Sequence, residues 1–215
     1  MPAQAPNKAT DWDAYYKRPA ATAQFTRRIT AARIQRVLAG AFTKDRVAVC
    51  ELGGANSCFI DDFLARPAVA AYHIVDTNAF GLDLVTRRFA QDKRVDCRLA
   101  DALTLEAGGG SFDIVYSVGL IEHFDRAGTA RCIASHFHMC KPGGTVLIKF
   151  PTPTVLYRAI RGAADALGMW AFPDERPLQL DEVVSSCAKH GVVTHRSINW
   201  AIGLTQGCIM TQKSG

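Results

Sequence analysis

The 215-residue chain is 48% hydrophobic and 21% charged, a globular balance, and is long enough for one domain to bury a core without metal or disulfide staples. No apolar run approaches the roughly 20 residues of a bilayer-spanning helix. The formal charge is +5, and the surplus lies in the first forty residues, which hold seven Lys or Arg against two Asp. One local excess falls short of a nucleic-acid footprint, so nucleic acid is not the expected partner. Seven cysteines without a C-x-x-C pair read as reduced core residues of a cytoplasmic protein. Cys132, His136 and Cys140 share a helical face, but three positions on one straight helix span too far to close a tetrahedron, so no metal is expected. Met1 to Lys8 is polar, lacks the apolar core of a secretory signal and reads as a disordered lead-in.

In chain order, Ile34, Val37, Leu38 and Ala41 fall on one helical face with Arg28, Arg33 and Arg36 opposite, which predicts an amphipathic covering helix. Arg46 to Leu52 is a β-branched apolar run ending at Gly53-Gly54, a buried strand entering a tight turn, with helix from Ser57 onward. Ala71 to Asp76 reads as strand, Phe80 to Gln91 as helix and Arg94 to Ala100 as strand. Phe112 to Ser117 is the next strand. Ala127 to Cys140 is a helix stopped by Lys141-Pro142-Gly143-Gly144, and Thr145 to Phe150 is a fifth strand. This alternation implies a doubly wound, parallel α/β sheet. Pro151 to Pro177 holds four prolines and a patchy helix from Val155 to Leu167, more than a connection requires, and is expected to be an insertion near the active site. Asp181 and Glu182 suit a helix start and Gly191 its C-terminal cap. Val192 to Trp200 and Gly207 to Gln212 close the sheet. The only low-complexity tract is a short turn at Gly108-Gly109-Gly110.

In a doubly wound sheet the ligand sits beyond the carboxyl ends of the strands, and here those ends are polar. The first reads Glu51-Leu52-Gly53-Gly54-Ala55-Asn56-Ser57, the second Asp76-Thr77-Asn78, the third Asp101-Ala102-Leu103 and the fourth Ser117-Val118-Gly119. A dinucleotide would present its pyrophosphate to the glycine turn, where the Glu51 carboxylate would repel it. S-adenosylmethionine carries a sulfonium and an ammonium instead, which acidic groups complement. Asp76 follows Gly53 at the spacing of an acid that bonds ribose hydroxyls, with an exposed helix cap as its bland alternative. Asp101 is placed to accept from an adenine amino group, or to serve a turn.

These segments resemble the class I S-adenosylmethionine-dependent methyltransferases over about residues 47 to 212. Glu51 to Ser57 is similar to that family's glycine-rich first motif, Asp76 to its ribose-binding acid and Asp101 to its adenine-contacting acid. Phe112 to Phe124 and Cys140 to Leu147 resemble its fourth- and fifth-strand segments. The resemblance implies a Rossmann-like, seven-stranded sheet in the order 3-2-1-4-5-7-6, mostly parallel with the last strand antiparallel and helices on both faces. Ala55 and Ser57 depart from it, standing where many members have glycine. Residues 1–45 are expected to form a helical segment covering the cofactor site of a methyltransferase domain over 46–215. Within Trp12-Asp13-Ala14-Tyr15-Tyr16 an aromatic residue, Tyr15 or Tyr16, is placed to reach the methionine end.

The acceptor is less legible. The position after the fourth strand reads Ser117-Val118-Gly119-Leu120, not the N/D-P-P-Y/F of amino-group methyltransferases acting on nucleobases or glutamine, and no Pro-Cys nucleophile occurs. A small-molecule acceptor is expected, with a sugar, lipid or secondary-metabolite hydroxyl favoured. Methylation of structured RNA and a catalytically inactive cofactor-binding protein are the alternatives. His123, six residues past Ser117, is the candidate general base; the alternative is that it and Glu122 shape the loop.

Overall fold

The computed structural model describes residues 9–17, 23–105 and 109–215; the Met1 to Lys8 lead-in and Gly108 of the glycine turn lie outside them. Two helices, α1 (Trp12–Lys17) and α2 (Ala23–Val37), precede β1 (Val47–Leu52), α3 (Ile60–Leu64), β2 (Val69–Asp76), α4 (Ala79–Arg88) and β3 (Val95–Leu99). Then come β4 (Phe112–Val118), α5 (Arg126–Met139), β5 (Cys140–Pro151), α6 (Val155–Ala166), α7 (Leu180–Cys187), β6 (Gly191–Asn199) and β7 (Gln206–Lys213). The seven strands form one sheet in the order β3-β2-β1-β4-β5-β7-β6. The first five pair parallel, and β7 runs antiparallel between β5 and β6.

The central strands read as continuous apolar runs because both of their faces are covered. Side chains alternate between two cores. Val47, Val49, Ile114 and Leu147 pack under Ile34 of α2, Ile60 and Phe63 of α3 and Leu82 of α4. Cys50, Leu52, Val115 and Ile148 pack under Ile133 and Phe137 of α5 and Val183 of α7. At the end of the sheet away from the polar strand termini, the buried Asp113 carboxylate accepts from Ala48 N at 3.0 Å, Lys141 Nζ at 2.8 Å and Lys44 Nζ at 2.7 Å. Burial alone would raise its pKa; these donors hold it down to about 2.

Three elements differ from the periodicity. The helix expected from Ser57 begins at Ile60, because Ser57 Oγ accepts from Phe59 N and the Ser57 carbonyl is taken by the Arg88 guanidinium. Lys141-Pro142-Gly143-Gly144 lies inside β5 as an irregularity, since Cys140 pairs with Phe112 and the ladder resumes at Ile114 with Thr145. Gly191 opens β6 and does not cap α7: a Cβ there would lie 2.1 Å from the Gln212 carbonyl oxygen, so the close strand approach requires glycine.

Phe63 is fully buried, with its ring centroid 4.9 Å from Tyr116 and 5.5 Å from Tyr72. Phe63→Ala is expected to cost about 3–5 kcal/mol, read as a lower denaturant midpoint at unchanged slope.

Candidate active site

The carboxyl ends of β1, β2 and β4 lie side by side at one end of the sheet, where the donor crevice is expected. Gly53 adopts φ +72°, donates its N–H to Val75 O at 2.8 Å, and has no room for a side chain, since a Cβ would lie 2.8 Å from Leu120 Cδ1. Asn56 takes the other left-handed position, φ 52°, a conformation that Asn tolerates. Ala55 and Ser57 need no such backbone, which is why the turn forms without glycine at either.

Asp76 ties this turn to the next one. Its Oδ2 accepts from Ala55 N at 2.9 Å and its Oδ1 from Asn78 N at 2.8 Å. Burial pushes its pKa up, against these amides. It does not cap α4. Asn78 does, accepting from Gly81 N at 2.6 Å, while its Nδ2 donates to Asp13 Oδ1 of α1 at 2.7 Å. Thr77 between them is exposed.

Glu51 lies beneath the turn and presents no exposed charge to the crevice. It is 2% exposed; Tyr72 OH donates to its Oε2 at 2.5 Å, and the Tyr72 and Tyr116 hydroxyls bond to one another. Burial raises the carboxyl's pKa against the hydrogen bonds of Tyr72, Ser57 and Tyr116. The Glu51 side chain also fills the space a Cβ on Gly54 would need.

Other expected positions divide between crevice and core. Asp101 is exposed, with Oδ1 accepting from Leu103 N at 2.8 Å; Ala102 is buried and Leu103 packs on the core under α5 and α7. Ser117 is fully buried and bonds His136 Nε2 at 2.8 Å, so its hydroxyl serves the core. His136 Nδ1 bonds the Cys132 carbonyl at 2.7 Å, which leaves both ring nitrogens spent, and burial lowers the imidazole's pKa to about 4. Val118 and Gly119 (φ +73°) are partly exposed at the strand end.

Helix α1 lies against this crevice. The Tyr16 ring abuts Gly81 and stacks on Trp12 at 5.9 Å. Burial raises its phenol, reinforced by Asp76, Tyr15 and Glu51. Tyr15 turns instead to Phe172, at 5.1 Å, and accepts from Arg27 Nη2 at 3.3 Å.

A second cluster adjoins the helical turn Ile121–His123. His123 Nδ1 bonds Asp174 Oδ1 at 3.0 Å, and Asp174 also receives the amide (3.1 Å) and hydroxyl of Thr10. The imidazole packs 5.0 Å from Trp12 and 6.1 Å from Phe172. Burial lowers its pKa, against the hydrogen bond and charge of Asp174. Glu122 is 2% exposed, its Oε1 lies 3.4 Å from where a Cβ on Gly119 would sit, and its Oε2 has no hydrogen-bond partner among the described residues. Burial, with Glu175 and Asp174 near, drives this carboxyl's pKa well up. Asp174 was not singled out from the sequence; the one available signal was an acidic pair between Pro173 and Pro177.

With Asp76 as the expected ribose-binding acid, Asp76→Ala is expected to weaken S-adenosylmethionine binding roughly tenfold to hundredfold, or about 1.5–3 kcal/mol, measured by titration calorimetry on folded protein.

Residues 49–144 match a family model described as a methyltransferase domain. The structure resembles magnesium protoporphyrin IX methyltransferase from Synechocystis PCC 6803 with bound S-adenosylhomocysteine, with a TM-score of 0.71 and 12% identity over 94% of this chain and 93% of that one. It also resembles the N-methyltransferase NodS from Bradyrhizobium japonicum WM9 in complex with S-adenosylhomocysteine, with a TM-score of 0.66 and 12% identity over 87% of each chain. A S-adenosylmethionine-dependent methyltransferase from Methanosarcina mazei gives 0.66 and 14% identity over 82% of this chain and 97% of that one. No curated protein sequence gives a significant match. The methyltransferase-domain match thus takes in the glycine turn, Asp76 and Asp101, and the fold is one shared with solved S-adenosylmethionine-dependent methyltransferases.

Proposed function

We propose that the protein transfers the methyl group of S-adenosylmethionine to the hydroxyl of a small molecule, a sugar, lipid or secondary metabolite, with His123 as general base. The donor's fit rests on residues in place. Asp76 would hold the ribose hydroxyls and Asp101 the adenine amino group, with the methionine end lying along the Gly53–Gly54 turn beside Tyr16. When bound, the donor supplies an electrophilic methyl on a sulfonium.

The observation that carries the acceptor half is the His123–Asp174 pair. Asp174 accepts from Nδ1, which directs the basic lone pair to Nε2, the orientation that a base held by a third group requires. Burial keeps the imidazole neutral, hence able to take the acceptor's proton. Glu122, whose carboxyl burial drives toward the protonated form, presents its Oε1 beside Gly119 and is placed to orient the same hydroxyl. Alignment of acceptor and methyl is worth up to roughly 7–11 kcal/mol, and the base adds about 10²- to 10⁴-fold in rate.

Incubation with methyl-labelled S-adenosylmethionine and a small-molecule extract is expected to label an organic acceptor, with heat-killed protein inactive. Label in structured RNA alone would establish the RNA reading, and cofactor binding without any transfer would establish a non-catalytic protein.

His123→Gln is expected to lower kcat about 10²-fold or more while leaving cofactor affinity nearly intact. Because burial depresses the imidazole's pKa, kcat/KM should hold at neutral pH and fall only as pH drops below the ordinary value of 6.5. Asp174 raises that pKa, so Asp174→Asn should move the acid limb to still lower pH, a shift that a purely structural contact would not produce.

A further inference from the structure

On the sheet face covered by α2, and sharing no lining residue with the site described above, lies a cavity of about 130 Å³ lined mainly by Arg33, Arg36, Lys149, His195, Ser197 and Asn199. A single water needs roughly 10–15 Å³, so the space suits a polyatomic group. None of its lining residues is acidic.

Lys149 stands near the end of β5, between Val118 of β4 and Cys208 of β7, and is 1% exposed. Its neighbours around the cavity include the guanidinium groups of Arg33 and Arg36 and no carboxylate. Burial, with Arg33 near, lowers its pKa to about 8 against the pull of Cys208. Asn199 is equally buried; its Oδ1 accepts from Ala201 N at 3.0 Å, but its Nδ2 has no hydrogen-bond partner among the described residues. Across the cavity, His195 Nε2 and Ser197 Oγ are 2.9 Å apart, forming a polar wall. Arg33 is partly buried and Arg36 exposed at the mouth.

Burying a cation without a counter-charge is strongly unfavourable, and an orphaned amide N–H₂ adds to the cost. Both deficits vanish if a tetrahedral oxyanion occupies the cavity. Its oxygens would accept from Lys149 Nζ and Asn199 Nδ2, and the guanidinium of Arg33 or Arg36 offers the planar donor fork that matches a phosphate edge. We propose that this cavity binds a phosphate group, carried either by inorganic phosphate or by the monoester of a small metabolite. The site shares no residue with the donor crevice or the His123 cluster, so it stands independently of the acceptor assignment.

The test is thermal unfolding of the full chain in inorganic phosphate, in glucose 6-phosphate, and in glucose or chloride at matched ionic strength. Phosphate or its monoester is expected to raise Tm by about 3–6 °C at ten times its dissociation constant, and glucose and chloride to leave it unchanged. The more effective of the two phosphates identifies the source. Lys149→Met keeps the buried stem and removes the charge, so it should unfold at or above the wild-type temperature in chloride and lose the phosphate-dependent rise. The double variant Arg33→Gln/Arg36→Gln, at partly and fully exposed positions, should bind phosphate at least about tenfold more weakly, and it decides the matter should Lys149→Met fail to fold. The absence of an anion-specific rise in the wild type, or an undiminished rise in the arginine double variant, would overturn the proposal.

Discussion

Glu51 is 2% exposed at the carboxyl end of β1, and a carboxyl taken out of water there is tolerated only with hydrogen-bond donors around it. Two of those donors come from the flanking strands, Tyr72 on β2 and Tyr116 on β4, and the third from Ser57 at the far end of the glycine turn. The side chain therefore joins three adjacent strands to the turn that caps them. Phe63 seals the two tyrosine rings from solvent on the α3 side. With Glu51 filling the space under Gly54, the turn is held up from below. Its outer edge is then closed by Asp76, which takes the Ala55 amide.

The N-terminal segment reaches this framework through two acid-centred contacts. Asp13 accepts from Asn78 at the start of α4, and Asp174 gathers Thr10 and His123. Trp12, between Thr10 and Asp13, meets His123, Tyr16 and Phe172 at once. The donor crevice and the candidate acceptor side thus share one aromatic cluster. Environment also separates the two neighbouring groups chemically: burial raises the pKa of Glu122 and lowers that of His123, each shift favouring the neutral form.

The positive charge concentrated in the N-terminal forty residues finds a partial structural reason in α2. Arg33 and Arg36 do not simply decorate a solvated face; they line the same cavity as the buried Lys149. The fold itself says little about acceptors, since 1274 solved chains match it and a fold this widespread hosts many chemistries. On the proposed reading, specificity comes from side chains contributed by α1, the turn after β4 and the segment from Phe172 to Arg176.

Periodicity and strand-end chemistry were enough to place β1, β4, α5 and the late strands and to mark the crevice, because both signals are local: a buried parallel strand must be apolar throughout, and a tight turn needs residues that accept positive φ. The strand order followed from the resemblance and not from the periodicity. What no local signal carried was where each polar side chain points. Ser117 ends a strand at the crevice yet gives its hydroxyl to His136, Glu51 turns beneath the loop, and Asp76 braces the turn while Asn78 caps the helix. Asp174 meets His123 across 51 positions and Thr10 across 164. Such pairings depend on which groups lose water together when the chain closes, and only the tertiary arrangement decides that, because a buried polar group is committed to whichever partner the packing brings within reach.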